Sequence, residues 1–505
     1  SKNFQQAHNN FVSFLETFYN SDLANYVLLG NGWSLLNLNE NILAIEQYDK
    51  ILDSDKDESS VVRNTALLYR TVALKRMGNM DQAQKELSEL SVQSTYPYLD
   101  LALLELGQIY YEKEELEAAR KTLEYAQRES RNAITSVRIH LLLGATYMEL
   151  RSWPKAVGEY RTAERLALAG SPTFMPQREW YLAESRLKQG ISLVKSHRNS
   201  EAIPPLLGFI AENAKDSRMD EALFWLGEAY FSKDMLRNSA ETFDKLIKNY
   251  PASSRKEEAI YGQGWSHFRM REFKKSSAIF DRMINEFPES KYALEVLARQ
   301  GDGYYVTKNY AKAADAYRRA ADISPRSEAG QYCAYQHCHA LYRLKAYDRA
   351  LRALMQFVRT YPRSQYASYA MYLNAWIIFQ QGNFTESIEK FKFLISAYGQ
   401  SPLVVKAHYA IGDAHYNTEN YELAIEAYRQ VIENYPSDPL AGEALKSIQF
   451  CYMALGQDDM ALKVADEFIQ TNPNAPIVTD LEYKKIRMFM LGQNTKMHWL
   501  KQKTS

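Results

Sequence analysis

Apolar and small residues recur three and four positions apart along most of this chain, the spacing that gathers side chains on one face of an α-helix. Two such stretches, residues 293–306 and 309–323, are joined by a short polar turn around Lys308. Two helical stretches with a tight turn between them predict a pair of antiparallel helices. Because similar stretches fill nearly the whole chain, the pattern predicts an all-α protein.

The helix pair recurs at a fixed step. One position in each step holds alanine or serine, and the spacing does not slip over seven consecutive steps of 37 residues. These anchor positions are Ala202, Ser239, Ser276, Ala313, Ala350, Ser387, Ala424 and Ala461. A period of about 20–50 residues held this strictly predicts a solenoid of stacked helix pairs.

The residue types at fixed offsets from the anchor resemble the tetratricopeptide repeat. Glycine stands 12 residues before the anchor, an aromatic ring four after it, a second small residue seven after it and proline 12 after it. The residues that carry the resemblance are Gly301, Tyr304, Ala313, Tyr317, Ala320 and Pro325 in one repeat, and Gly144, Tyr147, Ala156, Tyr160 and Ala163 in another. The resemblance implies a solenoid in which antiparallel helix hairpins form a right-handed superhelix.

The repeat length and the repeat endings resemble those of one branch of the family. The step of 37 residues exceeds the family's common step of about 34 residues. Endings such as residues 246–253, which contain a Tyr-Pro pair, are similar to those of bacterial cell-envelope members. That branch includes outer-membrane assembly lipoproteins and the periplasmic cell-division coordinator. The resemblance therefore implies the periplasm or cell envelope as the compartment, with the cytoplasm as the alternative.

The anchors also predict how the chain is organised. Earlier anchors at Ala44, Ala83, Ala119 and Ala156 extend the array towards the amino terminus. Ala7 lies 37 residues before Ala44, so we expect the chain to begin inside a repeat, with a targeting or anchoring segment upstream as one option. The predicted parts are a half repeat over 1–22, an amino-terminal array over 23–166, an irregular linker or kinked repeat over 167–205, a regular array over 206–474, and a capping helix with a tail over 475–505.

The irregular part is predicted from one long step and from its glycines and prolines. Anchors Ala156 and Ala202 are 46 residues apart, and the extra residues fall near Gly170. Glycine and proline clusters punctuate secondary structure. Pro204 and Pro205 lie two and three residues after the anchor, and proline inside a helix removes a donor and clashes with the preceding turn. We therefore expect this helix to be short, late-starting or bent.

Charge and composition exclude some classes of partner. The chain has 61 basic and 61 acidic residues and no long basic block, which argues against nucleic acid or an anionic membrane as its main partner. No apolar run approaches the roughly 18 residues of a membrane span, so we expect no direct span in this sequence. The chain has three cysteines. Because this number is odd, they cannot all be paired in disulfides within the chain.

The family resemblance also points to a binding surface. In this family the first helix of each repeat lines a concave groove, mainly with positions two, five, nine and twelve. The matching residues are aromatic in the later repeats: Phe224, Phe231, Tyr261, Trp265, Phe268, Tyr305, Tyr332, Tyr335, Tyr342, Tyr369, Tyr372, Trp376, Phe379, Tyr409, Tyr416 and Phe450. Aromatic rings with polar tips are enriched at protein interfaces, so we expect these residues to bind a partner. The alternative is that the rings simply pack between successive helices.

Candidate chemistry is sparse. The only cluster of potential metal ligands is Cys333, His337, Cys338 and His339. Cys338 takes the small-residue position of its repeat, and no second ligand pair accompanies the cluster, so we predict no metal site, since structural zinc needs four ligands. The lysine–asparagine pair with which co-chaperone members hold a terminal carboxylate is also missing. We predict no cofactor and no catalytic residues, because no set of catalytic roles can be assembled.

The predicted function is that of a non-enzymatic scaffold or adaptor for one or more proteins or peptides. The envelope resemblance suggests that it helps to assemble or organise a bacterial cell-envelope machine of the secretion, outer-membrane assembly, pilus or motility type. The alternative is a periplasmic carrier or chaperone that holds unfolded or lipidated substrates in the aromatic groove.

Overall fold

A computed structural model describes residues 2–93, 95–479 and 481–483 of the chain. Every regular element in this described part is an α-helix, as the residue spacing predicts. The helices form two compact units, Ser1–Met270 and Arg271–Ser505. The predicted capping helix lies almost wholly outside the described residues, which include only 478–479 and 481–483 of it as helix.

The first unit consists of helices joined by short turns. Their bounds are α1 Lys2–Thr17, α2 Ala24–Asn37, α3 Asn41–Ser54, α4 Val61–Arg76, α5 Met80–Ser91, α6 Leu99–Glu112, α7 Leu116–Glu129, α8 Ala133–Glu149, α9 Trp153–Ala169, α10 Arg178–Lys195, α11 Asn199–Glu212, α12 Met219–Ser232, α13 Leu236–Asn249 and α14 Lys256–Arg269. Consecutive helices pack as hairpins, and first helices of neighbouring hairpins also touch, as α6 and α8 do. This is the contact pattern of a solenoid, in which each repeat contacts its neighbours.

The second unit has the same construction. Its helices are α15 Phe273–Glu286, α16 Ala293–Val306, α17 Tyr310–Ile323, α18 Glu328–Arg343, α19 Tyr347–Thr360, α20 Ala367–Gln380, α21 Phe384–Ala397, α22 Val404–Asn417, α23 Tyr421–Asn434, α24 Leu440–Ala454 and α25 Asp458–Thr471. Here too the first helices of neighbouring hairpins touch, as α16 and α18 do.

The hairpins close through small residues at the predicted positions. A Cβ atom added to Gly301 would come within 2.7 Å of Cδ1 of Tyr317, so the Tyr317 ring occupies the space that a side chain at 301 would need. The anchor Ala313 is fully buried beside this contact. Where the anchor is serine, its hydroxyl also bonds the opposite helix: Ser387 donates to the carbonyl of Ala375 at 3.1 Å.

The turn inside each hairpin has one conformation. The residue five positions before the anchor has a positive φ, for example 62° at Lys308 and 79° at Gly382. In the Lys308 turn, the Lys308 N–H donates to the carbonyl of Tyr305 and the Asn309 N–H donates to that of Tyr304. These two bonds define a Schellman motif, which satisfies carbonyls that the end of a helix leaves without partners.

The helix after the long step does not behave as predicted. Helix α11 begins at Asn199, three residues before its anchor as in other repeats, and runs for 14 residues with Pro204 and Pro205 inside it. A short or late-starting helix is therefore ruled out, whereas a bend at the prolines stays a prediction. A proline inside a helix costs about 3 kcal/mol, but Leu206 and Phe209 are fully buried. Burial of each such side chain contributes about 1.5–3 kcal/mol, which offsets much of that cost.

The predicted division at 167–205 stays a prediction. Helix α9 ends at Ala169 and α10 begins at Arg178. Between them Met175 is buried against the α9 end, and a Cβ on Gly170 would lie 2.8 Å from its methyl carbon. The extra residues thus form a packed connection at this point.

Candidate binding groove

The predicted groove residues all lie on first helices of hairpins, spread over α12, α14, α16, α18, α20, α22 and α24. Their exposure differs widely. Phe224 is buried, whereas Tyr369, Tyr416 and Phe450 are exposed by 41%, 39% and 58%. The remaining rings are half-buried. Each half-buried ring therefore packs on one side and keeps part of its surface available to a partner.

Helix α20 carries three stacked rings. Tyr372 and Trp376 are nearly parallel, with centroids 6.4 Å apart and an interplanar angle of 8°. Trp376 and Phe379 stack at 5.2 Å and 6°. Tyr372 also packs on the buried ring of Phe391 in the second helix of the hairpin. We call Tyr372, Trp376 and Phe379 the α20 stack; packing on the hairpin core holds it in place.

Polar tips connect the rings of neighbouring repeats. Tyr305 on α16 shares a hydrogen bond of 2.9 Å with Nδ1 of His339 on α18. Tyr342 on α18 donates its hydroxyl to Oε1 of Gln380 on α20 at 3.2 Å. The Tyr335 ring stacks on Tyr366 at 5.4 Å and 10°. These contacts show packing between successive helices, and they leave the exposed parts of the same rings unused.

His339 was not predicted as a groove residue, although it occupies position nine of its repeat. Its ring contacts Tyr305, Tyr335 and Tyr342 at 5.8–6.1 Å. Burial, and secondarily the charge of Arg343, lowers the pKa of His339. The neutral imidazole therefore belongs to the aromatic surface. The sequence prediction kept only Phe, Tyr and Trp at the groove positions, so it excluded His339.

Asp302 and Asp413, like Glu228, occupy the same repeat position as His339. Asp302 accepts hydrogen bonds from the hydroxyls of Tyr317 at 2.6 Å and Tyr332 at 3.3 Å. Asp413 accepts a hydrogen bond of 2.6 Å from the hydroxyl of Tyr428, and burial raises the pKa of Asp413. Single carboxylates of this kind usually bind water. Asp302 and Asp413 instead accept hydrogen bonds from tyrosine hydroxyls.

Ion pairs join first helices in the early repeats of the first unit. Glu105 is buried and pairs with Lys75 and with Arg138, the latter at 2.8 Å. Burial on its own would raise the pKa of Glu105, but the Lys75 and Arg138 charges lower it overall. The ion pairs link three successive first helices, α4, α6 and α8, so they join neighbouring repeats.

Two exposed rings of the first unit were missed. Tyr26 and Trp33 on α2 are exposed by 61% and 43%, and Trp33 contacts Phe4 edge to face at 5.3 Å. Both stand at groove positions of the first hairpin, 18 and 11 residues before Ala44. The same offsets would have identified them.

The cysteine–histidine cluster is taken up by packing. Cys333 and Cys338 are buried free thiols, and burial raises the pKa of each to about 12. His337 hydrogen-bonds the carbonyl of Ala314 through Nδ1 at 2.7 Å. Within the described residues, no group of three or more His, Cys, Asp or Glu side chains is placed to hold a metal ion.

Comparison with known proteins identifies the repeat. A tetratricopeptide-repeat family model matches residues 261–328, 335–392 and 372–439, and a second tetratricopeptide-repeat model matches residues 221–253. No curated protein matches the chain. Together with the hairpin packing, these matches show that the chain contains tetratricopeptide repeats and has an all-α solenoid fold.

Solved structures of the same kind align only loosely. A tetratricopeptide-repeat protein from Parabacteroides merdae is 17% identical, covers 54% of this chain and 98% of its own, and has a TM-score of 0.34. Yeast Tom70 is 14% identical over 84% of this chain and 96% of its own, with a TM-score of 0.30. Pseudomonas aeruginosa PilF is 18% identical over 47% and 96%, with a TM-score of 0.36. Similarity this low carries no argument about function.

Proteins built from this repeat are in general non-catalytic scaffolds that bind other proteins. Over the residues that the structure describes, no helix is both long and apolar enough to cross a membrane.

Proposed function

We propose that this protein is a non-enzymatic scaffold that holds protein partners against the aromatic side chains of its first helices, with the α20 stack as the main contact. The observation that carries the proposal is the stack itself, three half-buried rings with two parallel ring pairs. Large rings that lose little conformational freedom on binding dominate many protein interfaces.

The surface around the stack suits an extended or helical peptide. Tyr369, one turn before Tyr372 on the same helix, is exposed by 41%. On α18, the neighbouring first helix, Tyr332 and Tyr342 are half-buried with hydroxyls that already act as donors. The apolar ring faces can bury apolar surface of a partner, and the polar hydroxyls beside them can orient it through hydrogen bonds.

The compartment is a further part of the proposal. We place the protein in the bacterial periplasm or cell envelope, where it would help to assemble or organise a machine of the secretion, outer-membrane assembly, pilus or motility type. The support is the 37-residue step with its recurrent Tyr-Pro endings, such as Tyr250-Pro251 and Tyr361-Pro362. Fractionation of the source cells tests it: recovery of the full-length protein only in the cytoplasm would contradict this part and leave the scaffold proposal standing.

The scaffold proposal predicts loss of defined partners when the stack is truncated. The test is affinity capture of partners by the purified protein and by the Tyr372→Ala/Trp376→Ala double variant. We expect the double variant to lose these partners while keeping its helical circular dichroism spectrum. A matched control is Leu207→Ala/Phe393→Ala, which removes two side chains exposed on second helices by 44% and 50%. Full partner binding by the α20 variant would overturn the proposal for this region.

The carrier or chaperone function is the second candidate, and exposed apolar side chains on α24 favour it. Phe450 and Met453 are exposed by 58% and 57%, and an exposed apolar patch can hold unfolded chains. A chaperone should suppress the aggregation of several unrelated unfolded proteins, and Phe450→Ala/Met453→Ala should weaken that suppression. A scaffold should instead retain a small, fixed set of partners.

A further inference from the structure

Charge is unevenly distributed in the second unit, although the whole chain is neutral. Residues 343–363 contain six basic residues and one acidic residue. Of these, Arg349, Arg352 and Arg359 lie on α19 and are exposed. Across the described chain, none of these three arginines forms an ion pair, whereas Arg318 on α17 pairs with Asp315 and Asp322 at 3.0 and 3.1 Å.

Helix α19, which carries the unpaired arginines, borders a cavity. A cavity of about 370 Å³ opens between the second helices α17 and α19, with the first helix α18 as its floor. Its lining is mainly apolar, with Ala321, Ala334, Ala353 and Phe357 among the lining residues. A volume of this size is within the range of small-ligand pockets and admits an apolar side chain.

Arg349 and Arg352 lie one helical turn before the cavity-lining residues Ala353 and Gln356 on α19. His337 lines the cavity floor. Burial lowers the pKa of His337 most, and the charges of Arg318 and Arg349 lower it further. Arg318 lines the cavity beside its ion-pair partner Asp322, whose charge shifts the pKa of His337 in the opposite direction. Arg352 lies three residues after Arg349, which places both on the same face of the helix.

We call the boundary between two consecutive second helices a seam. The equivalent seam of another repeat has a cavity with different lining residues. Between α21 and α23, with α22 as floor, an equivalent cavity of about 330 Å³ is lined by Ile395, His408, Leu423 and Glu426 among others. Glu426 there takes the repeat position of Arg352, two residues after the anchor. The solenoid thus supplies the cavity, and the sequence of each repeat supplies its charge. The basic rim at α17–α19 is absent from the α21–α23 cavity, where Glu426 stands in place of Arg352.

We propose that the seam between α17 and α19 binds an acidic segment of a partner protein, with an apolar side chain in the cavity and flanking carboxylates on Arg349 and Arg352. This site uses second helices and is separate from the α20 stack. Unpaired arginines fit carboxylates because the guanidinium can donate two parallel hydrogen bonds. The recessed apolar cavity favours a protruding side chain over a flat lipid surface.

The direct test uses a fluorescein-labelled peptide with one leucine among glutamates and aspartates, measured by fluorescence anisotropy with the full-length protein. We expect saturable binding that weakens as salt is raised, because ion pairs at an exposed rim are screened. Replacing the leucine with serine should weaken binding, and replacing the acidic residues with lysines should abolish it. No saturable binding of the acidic peptide at low salt would overturn the proposal.

Two variants locate the site. Arg349→Glu/Arg352→Glu should weaken peptide binding by about tenfold or more, because like charges then face each other. The charge-matched control Lys121→Glu/Arg237→Glu, on exposed positions of the first unit, should change it by less than about twofold, because distant exposed charges are screened. Gln356→Trp, at an exposed position that lines the cavity, should remove the difference between the leucine and serine peptides. Equal loss in the Arg349/Arg352 variant and its control would overturn the assignment.

Other occupants are separated in the same experiment. Binding of phosphatidylserine vesicles without peptide binding would replace the proposal with a membrane contact. Residues 419–443 of the same unit contain six acidic residues and one basic residue, so a second copy of the chain also offers complementary charge. Self-association in sedimentation velocity that Arg349→Glu/Arg352→Glu abolishes, with no peptide binding, would replace the partner with that second copy. The Tyr372→Ala/Trp376→Ala variant should keep peptide binding, so failure of this site and failure of the scaffold proposal are distinguishable.

Discussion

Single residues in this protein act mainly through shape and burial. Gly301 leaves room for Tyr317, and the Tyr317 hydroxyl reaches Asp302 on the same helix as the glycine. The glycine–tyrosine contact could be predicted from the repeat pattern, because small and large residues recur at fixed offsets. The carboxylate that receives the hydroxyl could not, because aspartate is usually solvated and nothing in its spacing shows that a tyrosine will bond it.

Asp413 provides a residue-scale prediction. Burial raises its pKa, and the hydrogen bond from Tyr428 offsets this only in part. A raised pKa in the folded state means that folding favours the protonated form, so stability is highest below the unfolded pKa and falls as pH rises through the folded pKa. We therefore expect Asp413→Asn, which keeps an acceptor oxygen for Tyr428, to raise the unfolding temperature at pH 7 and to lose this advantage near pH 4.

The control for this prediction is Asp348→Asn, an exposed carboxylate on α19. Thermal unfolding of the parent and both variants, followed by circular dichroism at pH 4 and pH 7, gives the six unfolding temperatures needed. An Asp413→Asn variant that is less stable than the parent at pH 7 would show that its charge helps the fold.

At the scale of the helix, the sequence predicted the type of element and its approximate length well. It failed at α11, where the prolines were given more weight than the apolar side chains that follow them. Local proline rules describe an isolated helix, whereas in the protein Leu206 and Phe209 are fully buried. Burial depends on neighbouring repeats, which a local rule does not include.

The hairpin turn gives an element-scale prediction. Gly382 has a φ of 79° and an added Cβ would meet nothing within 4 Å, so Gly382→Ala tests backbone strain alone. A left-handed conformation costs an L-residue about 1–2 kcal/mol, and the stiffer unfolded chain offsets about 0.4–1 kcal/mol of that. We expect a loss of about 1 kcal/mol in the free energy of unfolding, measured by urea denaturation.

Gly158 is the matched control for this substitution. It lies inside α9, and an added Cβ there also meets nothing within 4 Å. Gly158→Ala should therefore stabilise the protein by about 0.5–1 kcal/mol, since glycine is a poor helix former. Changes of the same sign in both variants would contradict the strain argument.

At the scale of the whole molecule, the 37-residue period predicted the fold because a solenoid repeats one contact pattern. The candidate binding surfaces were predicted less completely. The aromatic positions could be transferred from the family, but Tyr26 and Trp33 were missed because the offsets were not applied to the first hairpin. The basic seam was missed because Arg349 and Arg352 look like ordinary exposed charges until the cavity beside them is seen.

The contact pattern predicts that part of the solenoid folds alone. Each repeat contacts its neighbours, so a fragment of residues 293–505, which begins with α16, retains its own hairpin contacts. We expect this fragment to be helical and to unfold cooperatively, as measured by circular dichroism in urea. A fragment with the spectrum of an unfolded chain would show that its stability depends on residues 1–292.

The two seam cavities can change their lining residues independently during evolution. The cavities at α17–α19 and α21–α23 have the same place in the repeat but different linings, and no lining residue is shared between them. Effects of substitutions at distant, independent sites usually add. One seam can therefore gain or lose a preference for a partner while the other keeps its own, so new interactions can be acquired one repeat at a time.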